Sequence, residues 1–509
     1  MYTRALPPTP RSLTLAVSAF AAIGLAGAVR VLWWYWPGSF FDGATSGVWT
    51  GLAWDFAHGD FYRPLLGPLG YGGTRYMPLL FVAHGTLIAG HVDPIHAGVA
   101  LMQGSVVGAA LALFFALRST SAPARLAAPL AGTVWGTVIY QQSCTDLNPD
   151  YLAAALAMTA ATLASAAARR AGPSRAAWLI AAALTVVLAA LTKVTALAFA
   201  APIALWLALE EQRRAALWFA AVAAAVFAAA IGVLQAASGG RFLTVFVASL
   251  SGGMLASHAW YALPTFAKEI VLDPFVGAAF VIACWCVWAS VRRGLTLAHW
   301  YFLTAIVVTL VIFSSPGTVG NHLVDLQMAS TLLIGASVAR SAVPPRVVAS
   351  TYGILAVALA AISWPLPGIP SVIATLRAHG PRPRAVVAAI HAEFLPPGAR
   401  YLSTDPIVPV LSDESAVLLD AFDLRRFLRD GGPPGRDIED GVRRRAFSAI
   451  VLRDSEVFPR DMNAGDSGFA EASRRYWTAE DDDLVRLFHS AYEIRAVRRP
   501  FVILLPAGP

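Results

Sequence analysis

Cysteine, lysine and charge of either sign are what this chain has least of. Three cysteines, Cys144, Cys284 and Cys286, cannot frame a disulfide-held fold, and their spacing fits no zinc site. Cys284 and Cys286 stand two apart in an apolar run and read as lipid-facing or packed side chains. Only 14% of the 509 residues are charged, against roughly 25% in soluble domains, while 57% are hydrophobic. Soluble cores cannot hide that much apolar surface, which excludes a soluble multidomain enzyme. Nucleophile elbows, Walker loops and dinucleotide fingerprints in their required context are missing too.

The formal charge of +7 suggests nucleic acid only until it is divided by region. Up to residue 371 there are eleven acids against nineteen bases, and from 372 onward twenty against nineteen. The surplus lies in the apolar part, where short basic loops orient helices. No nucleic-acid partner is expected, because no stacking-aromatic basic patch accompanies the charge.

Long apolar runs are what the chain does have. Candidate spans lie at 12–36, 95–117, 126–141, 150–168, 176–191, 194–209, 215–237, 274–291, 297–314, 322–339 and 347–364. The first is read as a retained helix, since no small-residue cleavage site follows it. Basic clusters at Arg4/Arg11, Arg118/Arg125, Arg169/Arg170/Arg175, Arg213/Arg214, Arg292/Arg293 and Arg340/Arg346 fall at every second connection. Eleven spans with a cytoplasmic N-terminus satisfy that alternation and put the C-terminus outside. Met77–Gly90 is apolar but short. A twelfth span there would invert the later loops, so a helix lying at the outer surface is expected.

This orientation sorts the acids. Only Glu210 and Glu211 fall inside; Asp42, Asp55, Asp60, Asp93, Asp146, Asp150, Glu269, Asp273 and Asp325 fall at the outer face. Segments 37–92, 142–150, 238–273 and 315–325 are therefore the candidate walls of an outer site. Pro365, Pro367 and Pro370 mark a linker, after which residues 372–509 become densely charged. Ala449–Arg453 and Phe501–Leu505 read as strands, Ala385–Phe394 and Asp482–Tyr492 as helices, and Gly431–Gly435 as a loop. The expected architecture is a polytopic α-helical membrane module, 1–371, with outer-face surface helices, followed by a small extracytoplasmic α/β domain, 372–509.

The first outer segment carries most of the pattern: Asp42, then Trp49, Ala53, Gly59 and Tyr62, then the turn Gly70-Tyr71-Gly72-Gly73, then Arg75-Tyr76-Met77-Pro78-Leu79. Asn148-Pro149-Asp150-Tyr151 and Gly320-Asn321-His322-Leu323 add to it. On these motifs the chain resembles the GT-C superfamily of polytopic glycosyltransferases, especially the protein-mannosyltransferase and aminoarabinose-transferase-like family (glycosyltransferase family 39-like). The resemblance covers most of residues 1–371. It implies a helical bundle, a sugar donor linked to polyprenyl phosphate, and an acidic residue in the first outer loop. In the family that acid stands immediately before the first surface helix, where this chain has Thr45-Ser46. Asp42 is the nearest substitute and Asp55 the competitor.

A carboxylate suits the chemistry because a glycosyl phosphate already has a good leaving group. What remains is to take the acceptor's proton as the new bond forms. One direct displacement inverts the anomeric carbon, whereas retention needs a second carboxylate as nucleophile. Asp150 opens an apolar helix and reads either as its N-cap or as an auxiliary acid. Asp146 shares that segment and the second reading. A divalent cation, Mg or Mn, held between Asp42 and Asp150 is an option that no diagnostic spacing supports. Lys193 is one of only two lysines, with Lys268, and interrupts two apolar spans at the outer end. Its ammonium reads as a phosphate contact or as a snorkelling side chain. Arg30 divides similarly, Arg75 reads as a bidentate phosphate clamp or as a cap on loop carbonyls, and Tyr76, Asn321 and His322 are placed against donor or acceptor.

The leading expectation is a glycosyltransferase of the inner (cytoplasmic) membrane, working among membrane lipids at its periplasmic face. It would take a polyprenyl-phosphate sugar and a lipid, glycan or protein acceptor. A lipid-linked glycan transporter or flippase is the first alternative, although no inverted repeat is visible. A non-catalytic assembly protein is the second.

Overall fold

In the computed structural model the described residues are 10–35, 44–137, 144–210, 212–250, 259–315, 318, 320–363, 383–396, 398–429, 433–453, 483–498 and 500–508. In their described residues all eleven apolar runs are predominantly helical. Seven are long and apolar enough to cross a membrane: Arg11–Trp33, Pro94–Ser119, Asp150–Ala168, Gly172–Thr192, Arg213–Ala237, Gly320–Ala339 and Pro345–Ser363. Pro274–Ser290 makes an eighth if joined to Ala259–Leu272, from which it bends by 112°. Segments Ala124–Gly136, Val194–Leu209 and Leu297–Phe313 are shorter helices packed into the same bundle. The protein is a polytopic helical membrane protein.

The packing is graded from centre to rim. The span Gly320–Ala339 is 89% buried in its apolar window, while Arg213–Ala237 is 11% buried and turns its apolar surface outward. A helix apolar all round suits either role, since lipid and a protein core are equally dry. The alanine-rich faces of Asp150–Ala168 and Gly172–Thr192 let the two backbones approach closely.

Two short apolar helices with the hairpin between them cover one end of this bundle. Helices Ala44–Ala57 and Pro78–Ala89 flank a two-residue hairpin, β1 (Leu66–Gly67) with β2 (Gly70–Tyr71). The expected surface helix at 77–90 is thus present, opened by Pro78 where a missing N–H costs nothing. Above them sits the C-terminal domain, a four-stranded sheet of β3 (Leu402–Ser403), β4 (Ile450–Arg453), β5 (Tyr492–Arg498) and β6 (Phe501–Pro506). Its order is β3-β4-β6-β5, with β3 parallel to β4 and the other pairs antiparallel. The boundary expected at 371/372 lies outside the described residues.

Both faces of β4 and β6 are buried, which is why those two strands read as near-continuous apolar runs, whereas β5 at the edge alternates with exposed charged residues. Val451, Phe501 and Ile503 point into a core shared with Trp49, Leu52 and Phe81 of the surface helices. Ile450, Leu452, Val502 and Leu504 point the other way, towards helices Ala421–Arg429, Pro433–Arg443 and Asp483–His489. Pro433–Gly435 open the middle of these helices, where a loop was expected; prolines in a first turn start a helix as readily as they end one.

The domain is tied down by backbone as well. Tyr71 N–H donates to Val417 at 2.8 Å and Leu419 N–H to Tyr71 at 3.1 Å. Gly70 makes this approach possible: its φ is +103°, and a Cβ there would lie 2.2 Å from the Val417 oxygen. Gly70→Ala should therefore loosen the domain, and limited proteolysis should cut residues 383–508 from it faster than from wild type. Equal digestion rates would show that the joint does not depend on this contact. At the edge, Arg384 reaches Asp93 at 2.7 Å, while the other Asp93 oxygen caps helix Pro94–Ser119.

The arginine clusters collect at the opposite end. Arg169 donates to the Ser119 carbonyl, Arg175 to Gln212, and Arg340 lies near His299. One end is therefore basic and the other carries the surface helices, the sheet domain and most of the acids.

Candidate functional site

Four of the residues singled out from sequence meet at the domain-covered end. Asp150 is the first residue of its helix, after Pro149, and makes no capping hydrogen bond. Its oxygens turn instead to other helices. Lys193 Nζ lies 2.5 Å from Oδ1, His322 Nδ1 3.2 Å from the same oxygen, and Asn321 Nδ2 donates to Oδ2 at 3.0 Å. His322 Nδ1 is also 3.2 Å from Lys193 Nζ. That nitrogen either donates to the carboxylate or accepts from the ammonium, according to its tautomer.

Local sequence explains how the knot forms. Lys193 adopts an extended backbone at the break between Gly172–Thr192 and the 3-10 turn Val194–Phe199, which throws its side chain towards Asp150. Asn321 and His322 lie in the single turn Gly320–Leu323 that precedes Val324–Ala339. Asp150 is 2% exposed and Lys193 13%, so the charges face little solvent competition. This pairing decides against snorkelling for Lys193 and against an N-cap for Asp150. Asp150 thus gathers Lys193 and His322 on one oxygen and Asn321 on the other.

A second group lies beside the first. Arg75 exerts its charge on His322 and on Asp420 and Asp423 of the C-terminal domain. Tyr71 Oη donates to Asp423 at 2.6 Å, across 352 positions of sequence. The Tyr76 ring packs 4.4 Å from Trp49, its carbonyl accepts from Tyr62 Oη, and burial pushes its hydroxyl up to about 12. The Gly-rich turn is thus the joint to the domain. Arg75, just beyond it, acts on the Asp150 group through its charge on His322.

The remaining candidates are placed as follows. Asp55 is buried in Ala44–Ala57, 3.0 Å from Arg63 Nε, and Arg63 also donates to the carbonyls of Ala416 and Tyr71. Burial pushes the Asp55 carboxyl up to about 6, against the pull of Arg63. Asp146 is half-buried on the loop leading to Asp150, and Arg30 lies in the last two turns of Arg11–Tyr35. Asp42 lies outside the described residues, as does His258. The helix after Asp42 begins at Ala44, so Thr45 and Ser46 belong to its first turn. Ser46 has a packing role there: its hydroxyl accepts from Leu147 N–H at 2.9 Å, stitching the helix to the Asp150 loop.

Two groups received no site role from sequence. Asp325, one turn beyond His322, is 4% exposed with one oxygen unpartnered among the described residues, and its charge interacts with Lys193 and Asp150. The i, i+3 spacing from His322 was the available signal. Asp420 and Phe422 gave none, being distant in the chain. Among the described residues no three His, Cys, Asp or Glu side chains converge as a metal site, and of the Asp42–Asp150 pair only Asp150 is described. A cavity of about 530 Å³ under His391, Tyr401 and Glu414 lies in the C-terminal domain and shares no residue with this cluster.

No protein-family model and no curated protein matches the sequence. Among solved structures the chain is similar to ArnT from Cupriavidus metallidurans bound to undecaprenyl phosphate. Identity is 11% over 96% of this chain and 98% of that one, with a TM-score of 0.58. The same protein in the apo state gives 13% identity over the same shares and a TM-score of 0.55. An oligosaccharyltransferase from Archaeoglobus fulgidus, in complex with Zn and sulfate, gives 0.46 at 13% identity over 93% of this chain and 71% of that one. The likeness to ArnT extends over nearly the whole of both chains and shows that they share a fold.

Proposed function

We propose that this protein is a membrane glycosyltransferase that moves a sugar from a polyprenyl-phosphate-linked donor to an acceptor outside the cytoplasm. The observation that carries the reading is the Asp150–Lys193–Asn321–His322 cluster with Arg75 beside it. It lies at the covered end of a bundle whose fold is that of an enzyme solved with undecaprenyl phosphate. The arginine clusters at the far end support a cytoplasmic assignment for that end and an outward-facing site.

The step needs three things from the chain. Lys193 has donors left after meeting Asp150, and Arg75 offers a planar fork; both would face the phosphate as its charge grows on leaving. Asp150, Asn321 and His322 hold the ammonium in place. Asp42, just ahead of helix Ala44–Ala57, takes the acceptor's proton while that oxygen or nitrogen bonds to the anomeric carbon. The carbon–oxygen bond to phosphate breaks, polyprenyl phosphate departs, and the anomeric centre inverts.

The test is the full chain in liposomes with a radiolabelled polyprenyl-phosphate sugar and a lipid and glycan extract as acceptor. Label should pass to the acceptor with stoichiometric release of polyprenyl phosphate, and only on the side that exposes the C-terminal domain. Donor that changes leaflet without transfer would replace the reading with a transporter. Failure to bind the donor at all would leave an assembly protein.

A further inference from the structure

The joint between the surface segment and the C-terminal domain contains groups that docking alone does not explain. The Arg75 guanidinium lies 4.6 Å from the centre of the Phe422 ring. Phe422 is 39% exposed, an aromatic held at the surface with its face on a cation. Its neighbour Asp420 is 1% exposed. Oδ1 of Asp420 accepts the N–H groups of Phe422 and Asp423 at 3.0 and 3.2 Å, starting helix Ala421–Arg429. Oδ2 is buried with no hydrogen-bond partner among the described residues, and the carboxylate's charge acts on Arg75 and Tyr76. A helix cap needs one oxygen and tolerates solvent at the other. Burying the second oxygen, where its charge acts on the Arg75 guanidinium without pairing to it, is a cost that capping does not require.

We propose that Asp420 and Phe422 are positioning residues that hold Arg75 for the donor's phosphate, which makes the C-terminal domain a working part of the site. This rests on the reading of the Asp150 cluster as a polyprenyl-phosphate site. An arginine side chain has many rotamers, and each one removed before binding lowers the entropy lost when phosphate arrives. Contact with Phe422 occupies one face of the guanidinium and leaves N–H groups at its edge, beyond the one that engages Tyr76, for contact with phosphate. The clamp and its target are locked together. Tyr71 Oη on Asp423 and the Tyr71–Val417 backbone pairing tie the segment carrying Arg75 to the one carrying Asp420 and Phe422.

The experiment measures binding of undecaprenyl phosphate to the full chain in detergent micelles. Phe422→Ala should weaken it about fivefold, the scale of a lost cation–π contact, while Phe422→Tyr should keep it. Asp420→Asn should weaken it to a similar extent. In an Arg75→Gln background, Phe422→Ala should change nothing further, because its effect runs through Arg75. A loss that persists in that background, or normal binding by both Phe422→Ala and Asp420→Asn, would overturn the proposal and leave the site reading intact. A wild-type chain that binds no undecaprenyl phosphate would remove the site reading and this inference with it. If Asp420→Asn fails to fold, the half-exposed Phe422 still decides the matter.

Discussion

Lys193→Met is expected to destabilise the folded chain and to abolish donor binding, and the two losses should be separable. The substitution leaves the Asp150 carboxylate 2% exposed and without its ammonium. Removing one partner of a buried ion pair costs about 3–5 kcal/mol, because the survivor keeps its charge and loses its compensation. Replacing both partners by apolar groups is often neutral, since no charge is then stranded. Asp150→Leu with Lys193→Met should therefore recover the thermal midpoint in detergent that Lys193→Met lowers. Transfer should stay down by about 10²–10³-fold, the scale of one lost electrostatic contact to a charge that grows in the transition state. A double variant no more stable than the single would show that the pair is not coupled in the fold. Recovery of transfer along with stability would show that it takes no part in the reaction.

Asp42→Asn should lower the transfer rate by about 10²–10⁴-fold, the range of a positioned general base, and leave both donor binding and thermal stability unchanged. Asp55→Asn should do the reverse. It strands Arg63 at the joint with the C-terminal domain, so the folded fraction falls while the rate per folded molecule holds. A pH signature distinguishes them further. The Asp55 carboxyl is raised to about 6 by burial, so the folded chain binds a proton that the unfolded chain has released. Stability from this group is present at low pH and is lost as pH rises from the ordinary carboxyl range through about 6. Asp55→Asn should erase that slope in thermal unfolding, and Asp42→Asn should preserve it. If Asp55→Asn instead cut the rate in well-folded protein, the base assignment would pass from Asp42 to Asp55.

Two kinds of support hold the cations of the proposed site. Lys193 is held by side chains from two transmembrane elements, Asp150–Ala168 and Gly320–Ala339, a rigid setting in which geometry is fixed by helix packing. Arg75 comes from an irregular segment, and the sheet domain supplies the constraint that the segment lacks. This explains why a chain with so few charges places acids in the domain beside a turn that already contains its own glycines.

The apolar runs were legible as helices because burial in lipid or in a bundle demands the same property over the same length. Asp150, Lys193 and His322 were legible as exceptions, since an ionisable group at the end of such a run requires a partner. Their mutual pairing was not, because residues 150, 193 and 322 belong to different helices and only helix packing brings their ends together. The same limit hid Asp420 and Phe422. In the chain they read as an ordinary charged tail, and their meaning depends on a joint that closes across 352 positions.

Sequence alone thus determined the apolar helical module, the surface helix opened by Pro78, two of the four sheet strands (β4 and β6) and the scarcity of charge, because each depends on local periodicity or composition. The tertiary structure alone decided which carboxylate pairs with which cation. Electrostatic partnership falls off with distance in space, and the order of residues along the chain does not measure that distance.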